Sequence, residues 1–414
     1  MLVFLSIYKT DWTISNRCKS LEIEPYNFVL NMKQSMMVIF IAIALIIFGT
    51  VAWYIYSRGA LALEGNSMLS AFTWAFWLLV ATFFVGQILE RGEPGVIATI
   101  ISRIGSVGLA LFLYLFLFVL FVDFVRVLQH YFHFIPTSLT SGILSGKMLF
   151  IYGISLSTMI TIGGFINARN PIVKEINLEI NKKDSKRDSL KVLLATDVHL
   201  GVMLGKNHVQ KLVRQINDQK PDIVLFGGDL VDHNPKPVMK QDLGIYIEKI
   251  NAPLGVYAVT GNHEFMGNPD VTIDYFTKHG VTYIRDTIFN IDGIVQILGR
   301  DDKDKSQFTQ EVRKSLDEIM NNSISNLPLL LVDHQPVEYD IASKKGVDLM
   351  MSGHTHKGQL WPLSILTNLV YENHFGLMQK ADTWFYTSSG YGTWGPPVRV
   401  GNRPELVVFN LSFK

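Results

Sequence analysis

The sequence predicts an α/β domain carried behind an all-α bundle of four membrane-crossing helices. Three observations lead there. Of 414 residues, 48% are hydrophobic and only 18% charged, against roughly 25% charged in an average soluble domain. The charge is unevenly spread: nine charged side chains fall in residues 37–165 and 57 in residues 166–414. Finally, nine of the 11 histidines lie beyond residue 166, and several follow short apolar runs. Lys+Arg and Asp+Glu nearly balance, 37 against 36, which excludes a broad basic field for nucleic acid. A single cysteine, Cys18, excludes an internal disulfide framework and a Cys-rich zinc site.

Residues 1–35 mix charges with short apolar patches and lack the apolar core of a signal peptide. They read as a disordered N-terminal extension. A membrane domain over residues 36–166 follows. A spanning helix needs about 20 apolar residues, and Met36–Tyr56, Met68–Leu89, Ile104–Val122 and Met148–Ile166 each offer an uncharged stretch of that kind. Trp53, Tyr54 and Tyr56 mark an interfacial end. Gly153, Gly163 and Gly164 permit close helix packing. Asp123 and Arg126 sit one turn apart just past the third span and read as an interfacial pair. No span carries the paired acids or interrupted helices of a carrier.

Even spans put both ends of the bundle on one face. Lys and Arg near spans favour the cytoplasm. Eleven such residues lie on the face of the termini (Arg17, Lys19, Lys33, Arg91, Arg103, Arg169, Lys174, Lys182, Lys183, Lys186 and Arg187), against Arg58, Arg126 and Lys147 opposite. The expected location is a multi-pass protein of the cell membrane with a cytoplasmic C-terminal domain.

Residues 167–188 form a linker whose alternating Ile172–Ile180 predicts a first strand. From 189 to 414, apolar strands end abruptly in Asp, Asn or His. Leu190–Thr196 leads to Asp197-Val198-His199. Asp222–Phe226 leads to Gly227-Gly228-Asp229. Gly255–Val259 leads to Gly261-Asn262-His263-Glu264. Leu329–Val332 leads to Asp333-His334. Val347–Met351 leads to Gly353-His354-Thr355-His356. Val209, Leu212, Val213 and Ile216 share one face of a helix over Lys206–Gln219, and Pro221 closes it, which makes a βαβ unit. Such strand ends gather at one sheet edge, where α/β proteins build sites. Imidazoles and carboxylates crowded there are costly unpaired. A divalent cation relieves the cost, and mixed N/O donors suit Mn, Fe, Zn or Ni.

The blocks DVH (197–199), GGDLVD (227–232), GNHE (261–264), DHQP (333–336) and GHTH (353–356) occur in the order seen in the calcineurin-like metallophosphoesterase superfamily, which the chain resembles over residues 185–411. The tail SSGYGTWGPPVRVGNRPELVVFNL is similar to a bacterial branch in which the domain follows membrane helices. The resemblance implies a four-layer α/β/β/α sandwich and two metal ions. It implies that Asp197, His199 and His356 bind one ion, that Asn262, His334 and His354 bind the other, and that Asp229 bridges them. Asp229, Asn262 and His263 are the implied catalytic residues, with His263 protonating the leaving oxygen and Asp232 supporting the site. Lys357 stands where that branch is expected to carry glycine.

The function this implies is hydrolysis of a phosphate ester or pyrophosphate in a small molecule or lipid. One lipid-linked example is UDP-diacylglucosamine, which relatives of that branch hydrolyse in lipid A synthesis. The alternatives are a phosphodiesterase for cyclic nucleotides or other soluble diesters, and a non-catalytic membrane sensor. A set lacking no ligand argues against the sensor. Arg300-Asp301-Asp302, His233, Trp361, Trp384 and Trp394 are further residues near the blocks, open between site contact and packing. His208 and His279 read as surface helix residues. Oligomeric state is not legible.

Overall fold

The computed structural model describes residues 23–414 except 91, 93, 94, 182, 183, 322 and 325. Residues 1–22 of the expected extension lie outside the described residues, as do Cys18 and Arg17, Lys19, Arg91, Lys182 and Lys183 of the charge count. Four long helices precede the α/β part, Ile23–Ala62, Leu69–Leu89, Val96–Phe132 and Gly146–Ala168, with the short Thr137–Ser141 before the last. All four contain stretches long and apolar enough to cross a membrane, that of the first being Ile41–Ala62. The first helix starts before Met36. The third outruns Ile104–Val122 at both ends, because neither Arg103 nor Asp123 and Arg126 breaks a helix.

Small residues let the helices close up. A Cβ on Gly105 would strike the Phe83 backbone, and one on Gly86 the Ser102 Cα, as expected for spans packed through small side chains. Gly153 receives the Phe118 ring, and Gly164 receives Val398 of the C-terminal part. Gly163 meets nothing within 4 Å. Asp123 does more than pair with Arg126 at 3.1 Å. It also binds Arg58 of the first helix at 2.7 Å and accepts from Tyr54 Oη at 2.7 Å.

Two six-stranded sheets follow. The strands are β1 (Ile172–Ile180), β2 (Ser189–Ala195), β3 (Ile223–Gly227), β4 (Val256–Val259), β5 (Val281–Tyr283), β6 (Thr287–Ile291), β7 (Val295–Gly299), β8 (Leu329–Val332), β9 (Leu349–Ser352), β10 (Gly376–Lys380), β11 (Thr383–Thr387) and β12 (Glu405–Phe413). One sheet runs β1-β12-β2-β3-β4-β5 and the other β10-β11-β9-β8-β7-β6. In the first, β2 to β5 are parallel and β12 runs antiparallel to β2. In the second, β7, β8, β9 and β11 are parallel.

Val192, Leu194 and Val407 of the first sheet meet Ile297, Leu330 and Met351 of the second in a shared core. The helix Lys206–Gln219 lays Val209, Leu212, Val213 and Ile216 on the outer face of the first sheet. Helices Leu316–Met320 and Tyr339–Lys344 cover the second. The layers are therefore α/β/β/α. One expectation changes. The five ligand-bearing strand ends do not share a single sheet edge: β2, β3 and β4 supply three, and β8 and β9 supply two from the facing sheet. Face-to-face packing brings both sets of C-terminal ends to one cleft.

Candidate metal centre

The loops leaving these strands are held in unusual backbone conformations. Asp197, His199, Asp229, His354 and His356 all have φ between 47° and 67°. Such left-handed non-glycine residues cost about 1–3 kcal/mol each and persist where surrounding structure forces them. Two glycines make the crowding possible. A Cβ at Gly261 would collide with Asp229 Oδ1, and one at Gly353 with Asp197 Oδ2.

Two ligand sets converge. In the first, His199 Nε2 and His356 Nε2 face one another at 3.1 Å, and Asp197 Oδ1 lies 3.3 Å from His356 Nε2. In the second, Asn262 Oδ1 sits 3.1 Å from His334 Nε2 and 2.9 Å from His354 Nδ1. Asp229 stands between them, with Oδ2 3.1 Å from His334 Nε2 and 3.8 Å from His199 Nε2. Asp197, His199 and His356 form one group whose donor atoms could hold an ion, and Asp229, His334 and His354 form another. His334 Nδ1 donates to Gly227 O at 2.9 Å, which fixes the ring with Nε2 turned toward Asp229 and Asn262.

His263 stands beside these sets. Its Nδ1 lies 2.9 Å from Asp232 Oδ1, its backbone N–H donates to Asp229 Oδ1 at 2.9 Å, and its ring centroid is 4.5 Å from that of His199. His199, Asp232 and His263 also converge closely enough to make a third possible ligand group.

The electrostatics fit cations. Burial pushes His199 and His354 down to about 3, and His356 well below its usual value, so all three are neutral donors. Burial raises Asp229, but His334 and His263 outweigh it and keep the carboxylate ionised. Burial also opposes the charge on His263. Asp229 and the Asp232 hydrogen bond win there, holding the imidazole at about 9. The donor set therefore fits divalent ions.

Two contributors were not singled out from sequence. Glu264 is buried, and its carboxylate accepts from the backbone N–H groups of Asp229, Val231 and Gly261 at 3.0, 3.1 and 2.7 Å. It ties two motif loops together; its place three residues after Gly261, as in a capping box, was the available signal. Arg399 is also buried, with Nη2 3.1 Å from His356 Nδ1. It lies within the tail that resembles the membrane branch, but it follows no strand end of the kind that marked the other positions.

The remaining candidates separate. Asp301 pairs with Arg285 and Lys305, and Arg300 with Asp333 and Glu338, so this stretch holds the loop before His334. His233 does line the cleft, with Nδ1 3.1 Å from Asp232 Oδ1. His208 is no surface residue; it packs against Tyr391. His279 bonds Glu248 at 2.6 Å. Neither belongs to a candidate ligand group, although His208 also bonds the Val198 backbone between Asp197 and His199. Lys357 sits over the Phe375 ring at 4.0 Å. Trp384 packs against the inter-sheet core, whereas Trp361 and Trp394 are exposed.

Comparison with known proteins agrees with this geometry. The calcineurin-like phosphoesterase profile matches residues 190–358. An uncharacterized metallophosphoesterase of Campylobacter jejuni is 34% identical over 271 residues, 63% of this chain and 69% of its own. The chain belongs to the calcineurin-like phosphoesterase family. Another such relative, an uncharacterized metallophosphoesterase of Aquifex aeolicus, is 31% identical over 58% of this chain and 92% of its own. A Bos taurus protein named transmembrane protein with metallophosphoesterase domain is 27% identical over 63% of this chain and 61% of its own. This calcineurin-like phosphoesterase is thus a phosphoester hydrolase of a family that binds divalent metals, and a membrane protein.

Proposed function

We propose that the chain hydrolyses a phosphate ester or pyrophosphate with two divalent ions, Mn, Fe, Zn or Ni. The observation carrying this is Asp229, whose Oδ2 reaches a histidine of each ligand set. Asp197, His199 and His356 would hold one ion, and Asn262, His334 and His354 the other, with Asp229 shared. When bound, such a pair polarises a phosphoryl group and activates water. His263 keeps a proton on the substrate side. With Nδ1 tied to Asp232, its Nε2 is free to protonate the leaving oxygen. The substrate is lipid-linked, and UDP-diacylglucosamine is the candidate that the sequence resemblance supplies. The catalytic part faces the cytoplasm.

The test is a screen of the full-length protein with Mn against phosphomonoesters, phosphodiesters and nucleotide-linked lipids, run beside Asp229→Asn. The expected result is turnover that prefers the lipid-linked substrate and is abolished by the substitution. A substituted protein that keeps both full metal occupancy and turnover would refute the shared-carboxylate assignment. A preference for soluble diesters would refute the lipid assignment alone.

A further inference from the structure

The stretch between His356 and Tyr371 leaves the metal centre, forms the helix Leu363–Val370, and returns to place the Tyr371 ring 6.1 Å from that of His354. Ile365, Leu366, Leu369 and Val370 are all exposed, the last two at 76% and 73%. Their spacing of i, i+1, i+4 and i+5 makes one apolar stripe, flanked by the uncharged Asn368 on one side and half-buried Thr367 on the other. Trp361 and Trp394 extend it. Elsewhere in the α/β part, among the described residues, exposed large apolar side chains are scattered. A concentrated patch of this kind marks an interaction surface.

The depth of the patch identifies what covers it. On the third spanning helix, Arg103 Nη2 donates to Val202 O at 3.0 Å, so Arg103 is level with the α/β part. Asp123, bound to Arg58 and Arg126, is 20 residues further on, about 30 Å at a rise of 1.5 Å per residue, the thickness of the hydrocarbon layer. Between those charges, Tyr114 Oη donates to Trp361 O at 3.1 Å. Leu360 and Leu363 pack with Ala110, Leu113 and Phe165 of the spanning helices. Tyr114 is 11 residues past Arg103, about 16 Å into that layer.

We infer that the helix Leu363–Val370 is immersed in the bilayer, with its stripe against acyl chains beside the spanning helices. The metal centre therefore opens at the membrane instead of toward bulk water. An apolar cavity of about 340 Å³ lies at the same junction, lined by Phe48, Phe112 and Leu113 of the spans and by Gln359, Leu363 and Trp394. The inference does not depend on the reaction performed.

Site-directed spin labelling tests it. Cys18 is the only native cysteine, so Cys18→Ser clears the background in the full-length protein. Labels go at Leu369→Cys, at Phe121→Cys on the exposed face of the third helix, and at Lys278→Cys on a helix of the α/β part, in phosphatidylcholine–phosphatidylglycerol nanodiscs. The expected result is that Leu369 matches Phe121, with oxygen access high and water-soluble nickel-chelate access low. A nickel-chelate profile like that of Lys278 would overturn the inference. Exclusion of both reagents, the mark of a second copy covering the patch, would overturn it equally. Should the labelled chain not fold, quenching of tryptophan emission by mid-chain brominated lipid decides. The quenching must fall in Trp361→Phe, and an unchanged value sinks the idea.

Discussion

Arg399 stands against His356, its Nη2 3.1 Å from His356 Nδ1, while its own backbone is clamped to the fourth spanning helix. Its N–H donates to Gly164 O at 2.9 Å, and its carbonyl accepts from Asn167 Nδ2 at 2.9 Å. The same guanidinium nitrogen donates to Gly392 O at 2.6 Å and Gly390 O at 3.2 Å. Burial lowers its pKa to about 10, which still leaves it charged at neutral pH. One residue thus connects the candidate metal centre to the membrane bundle.

Replacing Arg399 by Met should cost about 2–6 kcal/mol, because buried Gly392 O and Asn402 Oδ1 lose a charged donor and each unsatisfied group costs about 1–3 kcal/mol. The measurement is the Tm of the full-length protein in detergent, with metal content after dialysis. A lower Tm and reduced metal retention are expected. An unchanged Tm would mean that Arg399 is a bystander.

His263→Ala should keep its full metal content and lose about 100-fold or more in rate, the scale for removing a general acid. The competing assignment is concrete, since His199, Asp232 and His263 also converge as ligands. Metal analysis separates the two. A variant that comes back one ion short makes His263 a ligand.

Asp302 should behave as a buried acid that weakens the fold at high pH. Its Oδ2 has no partner, and Oδ1 accepts from Gln335 Nε2 at 3.0 Å and Asp304 N–H at 2.8 Å. Burial raises its pKa from 3.8 to about 7. A carboxyl raised on folding penalises the native state increasingly as pH climbs from 3.8 to 7, and fully above that. Asp302→Asn should therefore raise Tm at pH 8 in chelator-treated protein, with ~2–4 °C for each 1 kcal/mol recovered. The gain should shrink at pH 5. A gain independent of pH would point to packing instead of charge.

Much of this was legible in the chain itself, for identifiable reasons. The helix Lys206–Gln219 has the predicted ends, because Val209, Leu212, Val213 and Ile216 share a face and Pro221 stops it. The candidate metal-binding positions stood out because Asp, Asn or His follows each of five apolar runs that read as buried strands, while the grouping into two sets came from the family resemblance. Which sheet each strand joined could not be read. Pairing of β9 with β11, and of β2 with β12, is set by contacts over many residues in sequence. Arg399 was hidden for the same reason. The exposed stripe of Leu363–Val370 escaped because eight apolar-rich residues look like ordinary core until Tyr114 is seen beside Trp361.

The two termini and the α/β part should lie in the cytoplasm. Eleven Lys and Arg residues fall on their side of the spans and three on the other; with Arg17 and Lys19 set aside, nine still oppose three. Basic residues near spans are retained in the cytoplasm. The folded chain gives this count a physical frame. Arg103 reaches Val202 O at one end of the bundle, and Arg58 and Arg126 share Asp123 at the other. Reporter fusions at Lys414 provide the measurement. A cytoplasmic reporter should be active there and a periplasmic one silent. The reverse pattern would invert the bundle, place the metal centre outside the cytoplasm, and move the search for its substrate to the outer leaflet.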